Sequence, residues 1–220
     1  MLCGVTATDG CDLCSDCCAD LPYLRTACRV CALPLTVVGI CGRCLRREPK
    51  IHRSHAIFHY ASPVDFFIQR LKFNRKLNYA RLLGVLMARE LAERYSSDAD
   101  DLPKLIIPVP LHPARMRDRG YNQSLELARP VSALFNIPID YSCCVRIHNT
   151  ALQSDLPARL RRKNVKGVFR MQAVEPDHVV IIDDVMTTGY TVNELAGVIR
   201  NAGVDRVDVW TCARASSLKI

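Results

Sequence analysis

Residues 178–191 read HVVIIDDVMTTGYT, a run of apolar side chains that meets two adjacent aspartates and then a turn of small, hydroxyl-bearing residues. No other stretch constrains the fold so tightly. Four successive branched apolar residues, Val179 to Ile182, must be covered on both sides. That is the demand of a central strand in a parallel sheet, with helices on either face. Ligands in such doubly wound α/β folds sit beyond the carboxyl ends of the strands, so the residues after Ile182 are placed at the site.

Those residues are chemically specific. Adjacent carboxylates repel, and Asp183 and Asp184 therefore need a counter-cation, hydroxyl donors or a raised pKa. Vicinal sugar hydroxyls would supply donors, and magnesium a cation. Thr187, Thr188 and Gly189 are small, and the glycine permits close backbone approach or a positive φ. Thr191 and Glu194 have the Thr-x-x-Glu spacing of a capping box opening the next helix. Met186, Thr187, Thr188, Gly189, Tyr190 and Thr191 thus bring amides, hydroxyls and a helix N-terminus to one point, which suits a phosphate monoester. Phosphate there and sugar hydroxyls at Asp183 and Asp184 together describe a ribose 5-phosphate.

The rest of the chain supplies partners for that strand. His55–Tyr60 alternates like a strand, with Ser62 as N-cap and Pro63 as first residue of a following helix. Leu82, Leu83, Leu86, Met87 and Leu91 fall at helical spacing. Residues 104–110 form a short buried strand. Leu125, Leu127, Ala128, Val131, Leu134 and Phe135 mark an amphipathic helix. Residues 139–147 read as a strand. Leu195, Val198, Ile199 and Ala202 make a helix that stops near Gly203, and residues 206–213 form the last strand. Strands alternating with helices predict an α/β domain with a mainly parallel sheet.

Two polar segments add charge. Arg115, Arg117 and Arg119 crowd one loop before Gly120, and clustered guanidinium groups suit a polyanion such as a diphosphate. Asn122 or Ser124 would cap the next helix. Farther on, residues 149–169 are polar and basic; Arg159, Arg162 and Lys163 there would close over a bound substrate as a lid. The formal net charge is +8, and its surplus falls in two stretches. Residues 46–94 and residues 111–170 each hold eleven Lys and Arg against four acids. Such a surplus suits nucleic acid or a small polyphosphate. Tyr60, Phe66, Phe67, Phe73 and Tyr79 lie among the first set of cations, an arrangement that either fills a core or stacks single-stranded DNA.

Nine of the twelve cysteines lie in the first 44 residues. The N-terminus has no basic head or apolar signal core, and no apolar run is long enough to span a bilayer. A cytoplasmic, reducing location is expected, and there paired cysteines favour metal over disulfides. Cys28-x-x-Cys31 and Cys41-x-x-Cys44 form two knuckles with four thiolates for one tetrahedral, structural zinc. Upstream, Cys14 and Cys17 are the stronger ligands of a second site, with Cys3 and Cys11 less determined and Cys18 spare. Cys143, Cys144 and Cys212 lie in strand patterns as small core residues. Residues 1–46 are then a zinc ribbon and 47–220 the α/β domain.

Taken together, CRVCALPL, CGRC, LKFNRK, VPLHPARMRDRGYNQSLELA, LQSDLPARLRRKNVKGVF and VVIIDDVMTTGYTVNELA resemble the ComF/GntX family. These are type I phosphoribosyltransferase-like proteins behind an N-terminal zinc ribbon, associated with DNA uptake and the use of external DNA. The resemblance implies that Asp183 and Asp184 hold ribose hydroxyls, Thr187 to Thr191 the 5-phosphate, and the arginine loop a diphosphate with magnesium. The expected ligand is phosphoribosyl diphosphate. The resemblance leaves the acceptor open and transfers no catalytic base. It is compatible with three roles: a transferase with a nitrogen acceptor, a module sensing phosphoribosyl diphosphate and binding single-stranded DNA, or a ribbon that docks a helicase or another uptake protein.

Overall fold

The computed structural model describes residues 2–7, 12–96, 101–149, 166–172 and 174–216. Its centre is a four-stranded, wholly parallel sheet. The strands are β1 (Arg53–His59), β2 (Leu105–Pro108), β5 (His178–Met186) and β6 (Arg206–Arg214), in the order β1-β6-β5-β2. β3 (Cys144–Arg146) and β4 (Phe169–Met171) pair antiparallel as a separate two-stranded sheet. The strand expected over 139–147 is therefore shorter. Its first residue, Ile139, forms only an isolated parallel bridge to Ile106 of β2.

β5 is central because its apolar run is covered twice. Val180 and Ile182 join a cluster with Leu83, Met87, Leu127 and Val131. Val179 and Ile181 join another with Leu195, Ala196 and Ile199. Successive strand residues face opposite sides, so one unbroken run serves two helical layers. The first layer holds α3 (Val64–Asn74), α4 (Leu77–Arg94) and α6 (Gln123–Phe135). The second is α7 (Tyr190–Asn201), which presents Val192, Leu195, Ala196 and Ile199 at i, i+3, i+4 and i+7.

Two expectations in these helices are corrected. α3 begins at Val64, with Pro63 rather than Ser62 in the cap position. Leu134 is 55% exposed, because the last turn of α6 directs Phe135, not Leu134, onto Tyr95 and Trp210.

α4 and α6 cross closely at Gly84. A Cβ there would lie 2.9 Å from Pro130 Cγ and 3.0 Å from the Leu127 carbonyl oxygen. Gly84→Val is expected to destabilise the protein by about 2–3 kcal/mol, the range for overpacking. Gly84→Ala loses less, because alanine recovers about 1 kcal/mol of helix propensity. Urea unfolding midpoints check both, and a valine variant as stable as the parent would disprove the close crossing.

The N-terminal segment packs on β1. It carries α1 (Ser15–Ala19) and α2 (Gly42–Arg46). Leu13 and Leu21 enter the main core, Leu24 N–H donates to the Ile57 carbonyl at 2.8 Å, and Arg25 meets Glu90 at 2.7 Å.

Candidate functional site

β5 does not stop before its aspartates. It runs on to Met186, so Asp183 sits within the strand opposite Thr211. The two carboxylates are met by different groups. Lys72 Nζ of α3 lies 2.7 Å from Asp184 Oδ1. Ser124 Oγ, in the first turn of α6, donates to Asp183 Oδ1 at 3.3 Å, and the Asp184 N–H donates to the same oxygen at 2.9 Å. α6 starts here because Asn122 is its N-cap: Oδ1 accepts from Ser124 N–H at 3.0 Å while Nδ2 donates to the Val109 carbonyl. Burial, and then the charge of Asp184, push the Asp183 carboxyl up to about 7, against the opposing pull of Lys72. Asp184 is 3% exposed, and its Oδ2 has no hydrogen-bond partner among the described residues.

The turn after β5 carries the second half of the site. Gly189 has φ +79 and is the N-cap residue of α7. A Cβ there would meet nothing nearer than 3.6 Å, so the left-handed conformation, not crowding, is what calls for glycine. The capping box is not formed. Thr191 lies inside the helix, the N-cap Gly189 has no side chain to cap with, and Glu194 accepts from the Gly167 N–H at 2.8 Å. A helix start without a side-chain cap keeps its first N–H groups available for an anion. Among the described residues Thr188 Oγ1 is buried without a hydrogen-bond partner. A cleft of about 760 Å³ opens beside this turn, and Met186, Thr188, Gly189, Tyr190, Arg43 and Arg47 are among the residues that line it. Asp183 and Asp184 are not part of its lining.

The arginine segment is a short helix, α5 (Pro113–Arg119), rather than a loop. His112 caps it, accepting from the Ala114 N–H at 3.2 Å, and Gly120 closes it at φ +85. Arg119 is hydrogen-bonded to Gln123, Arg117 is exposed, and Arg115 is half-buried near Arg146. Arg159, Arg162 and Lys163 of the expected lid lie outside the described residues.

Cys28, Cys31, Cys41 and Cys44 converge, their sulfurs all within 4.8 Å of one another. All four are buried, with Cys31 and Cys41 Sγ 3.7 Å apart. A tetrahedron of roughly 2.3 Å Zn–S bonds has sulfurs about 3.8 Å apart. The Cys41 N–H donates to Cys28 Sγ at 3.2 Å, as to a thiolate. Burial, and then the contact with Cys31, push Cys44 far above the ordinary thiol range. Four sulfurs so close cannot all ionise without a cation, and the donor set fits a soft, tetrahedral metal. Cys3, Cys14 and Cys17 form a second, three-sulfur cluster, while Cys11 lies outside the described residues. Cys18 stands apart, its thiol directed to the Leu13 carbonyl. Cys143, Cys144 and Cys212 are buried in the core, and burial pushes the first two up to about 12. Among the described residues no helix is long and apolar enough to cross a membrane.

No family model matches the sequence. The DNA utilization protein YhgH of Escherichia coli O157:H7 is 38% identical over 204 residues, covering 92% of this chain and 90% of that protein. The chain belongs to the ComF/GntX family. Competence protein F of Haemophilus influenzae is 36% identical, over 80% of this ComF-family chain and 78% of its own length. Solved structures similar to it include a purine phosphoribosyltransferase from Pyrococcus horikoshii. That likeness has a TM-score of 0.33 and 17% identity, over 58% of this chain and 79% of the other.

Three residues around the aspartates and the following turn carry no plain signal in the sequence. Lys72 was hidden in a helical pattern. Arg146 is 9% exposed on β3 beside Asp183, where burial and then Arg115 push it down and Asp183 pulls it up. Its signal was alternation, with Val145 facing out between buried Cys144 and Arg146. Arg214 had no sequence signal beyond being a cation at the end of an apolar strand.

Proposed function

We propose that this ComF-family chain binds phosphoribosyl diphosphate with magnesium at the carboxyl end of β5 and acts in the handling of DNA taken up from outside. What carries the reading is one combination: two carboxylates at the end of a buried strand, followed by a tight turn into a helix whose N-cap is a glycine. Among the described residues Asp184 Oδ2 and Thr188 Oγ1 are buried polar atoms without partners, as befits groups that a bound sugar phosphate satisfies. The names of the relatives, DNA utilization protein and competence protein, support the setting.

In this reading Asp183 and Asp184 hold the ribose hydroxyls and favour positive charge developing at the sugar. Thr187 to Thr191 hold the 5-phosphate, while Arg115 and Arg119 face the diphosphate with Arg159 and Arg162 closing above it. Magnesium, when bound, supplies charge that stabilises the leaving diphosphate. Residues 1–46 act as the ribbon, with zinc on Cys28, Cys31, Cys41 and Cys44. Cys3, Cys14 and Cys17, with Cys11, make a second site. The setting is cytoplasmic. Calorimetric titration tests the core of this reading: wild type binds phosphoribosyl diphosphate with magnesium, and Asp183→Ala with Asp184→Ala abolishes binding. Parental affinity in the double variant would refute it.

The raised Asp183 carboxyl adds a pH dependence. A group held at about 7, against an ordinary carboxyl near 3.9, stabilises the fold while neutral. That contribution is present below about pH 4 and lost as pH rises through about 7. A bound cation favours the charged form, so magnesium-dependent affinity should rise with pH, by up to about tenfold per unit below pH 7. Titrations on either side of neutrality check this, and Asp183→Asn should flatten the profile.

A second reading, single-stranded DNA binding, is favoured by one observation. Phe66 and Phe73 are exposed on one face of α3, and the Arg70 guanidinium lies 4.8 Å over the Phe66 ring. Exposed aromatic rings beside cations suit stacked bases. Phe67 takes no part, being buried and stacked on Tyr79.

A further inference from the structure

Arg214, the last residue of β6, is 1% exposed. Nε donates to the Cys31 carbonyl at 3.0 Å. Nη1 donates to the Met186 carbonyl at 2.8 Å and the Ala215 carbonyl at 2.5 Å, and also reaches the Thr187 carbonyl. Nη2 is buried with no hydrogen-bond partner among the described residues. One rigid, planar fork therefore touches the first cysteine knuckle on one side and the start of the turn after β5 on the other.

A buried guanidinium is costly, and where packing alone matters an apolar side chain of similar volume serves as well or better. Among the described residues Arg214 has no carboxylate partner. What meets it instead are the backbone carbonyls of Cys31, Met186, Thr187 and Ala215. Two further features join the same regions. The Lys50 N–H, just after the ribbon, donates to Asn193 Oδ1 in the first turn of α7 at 2.8 Å. The 760 Å³ cleft has Cys31 and Cys44 among its walls together with Met186, Thr188 and Gly189.

We propose that Arg214 is a positioning residue that makes the cysteine knuckle part of the phosphate site. With the four thiolates gathered round a metal, the Cys31 carbonyl is fixed and holds the guanidinium. The guanidinium in turn holds the carbonyls of Met186 and Thr187, so that the N–H groups of residues 187–191 are presented outward. Loss of the metal frees Cys31 and loosens the turn. The consequence for ligand binding rests on the ribose-phosphate reading above, whereas the tie itself does not. Coupling of this kind is reciprocal, so a ligand on the turn must also tighten the metal.

Hydrogen exchange on the full zinc-loaded chain tests the tie. Arg214→Met, with zinc content unchanged, should make the amides of residues 186–191 exchange at least tenfold faster while those of 179–182 keep their protection. Arg214→Lys should fall between. Wild type stripped of zinc should match Arg214→Met over 186–191. Unchanged exchange there, in either the variant or the stripped protein with 179–182 still protected, overturns the proposal. If Arg214→Met does not fold, wild type with and without zinc decides alone. Saturating ribose 5-phosphate should also slow zinc transfer to a chromophoric chelator severalfold in wild type and not in Arg214→Met. Ribose 5-phosphate that binds wild type without slowing the transfer overturns the coupling. Failure of ribose 5-phosphate to bind, with the exchange result intact, removes only the ligand reading.

Discussion

Asp208→Ala is expected to destabilise the protein by about 3–5 kcal/mol, the cost of breaking a buried ion pair by removing one partner. Asp208 is fully buried on β6. Arg206 Nη2 lies 3.0 Å from its Oδ2, His178 Nε2 3.1 Å from the same oxygen, and His52 Nδ1 3.1 Å from Oδ1. Arg53 stands at 3.6 Å, and both Arg53 and Arg206 also pair with Asp101. Alanine would leave the buried His178 and two partly covered guanidinium groups around an empty position. At about 2–4 °C per kcal/mol for a chain of this size, the unfolding midpoint should drop by roughly 10 °C. Asp208→Asn keeps an acceptor and should lose less. Burial pushes the Asp208 carboxyl up, but hydrogen bonds from His178 and Arg206 outweigh it and hold the group at about 2. A depressed carboxyl contributes stability above the ordinary value near 3.9 and loses it as pH falls through the folded value. The gap between wild type and Asp208→Ala should therefore narrow between about pH 4 and about pH 2. A variant that melts with wild type at neutral pH would show that the network is ornamental. The network lies at the amino end of the strands, Arg53 pairing with Asp208 and Asp208 with Val180. Its loss should thus leave the ligand site at the other end intact in whatever fraction remains folded.

Cys41→Ser should have an effect of similar or greater size. Structural zinc in small modules contributes about 10–16 kcal/mol of apparent binding free energy, and the folded module exists only with it. Losing one of four thiolates should remove one metal equivalent and at least about 3 kcal/mol of stability. The loss should spread beyond the ribbon, because Arg25 pairs with Glu90 of α4 and the Ser54 N–H of β1 donates to the Arg29 carbonyl. Elemental analysis of metal per chain, read beside thermal unfolding, checks this. Cys212→Ser is the control: it removes a buried core sulfur and should leave the metal content unchanged. A Cys41→Ser protein with full metal content and the parental midpoint would sink the four-thiolate assignment.

Much of the fold was legible because it depends on local period. Val179 to Ile182 announce a strand covered on both faces, and Leu195 with Ile199 announce the helix that covers one of them. The first comes from an unbroken apolar run, the second from side chains recurring at spacings of three to four. The knuckles were legible for a similar reason, since two residues between cysteines suffice to bring both sulfurs to one ion. Thr191 and Glu194 show where local reading fails. Their spacing suits a cap, yet Gly189 begins the helix and Glu194 is taken by Gly167, twenty-seven positions earlier. Leu134 fails likewise, because which face of a final turn is covered depends on what lies across from it.

By itself the sequence determined the parallel α/β order, the aspartate pair and its following turn, and the four-cysteine site. Only the tertiary structure decided that Lys72 meets Asp184, that Arg146 is buried beside Asp183, and that Arg214 links Cys31 to Met186 and Thr187. The physical reason is range. Periodicity and chelate spacing are set by neighbours a few bonds away, whereas the cation a buried carboxylate finds is chosen by the packing of elements far apart in the chain, Lys72 lying more than a hundred residues from Asp184.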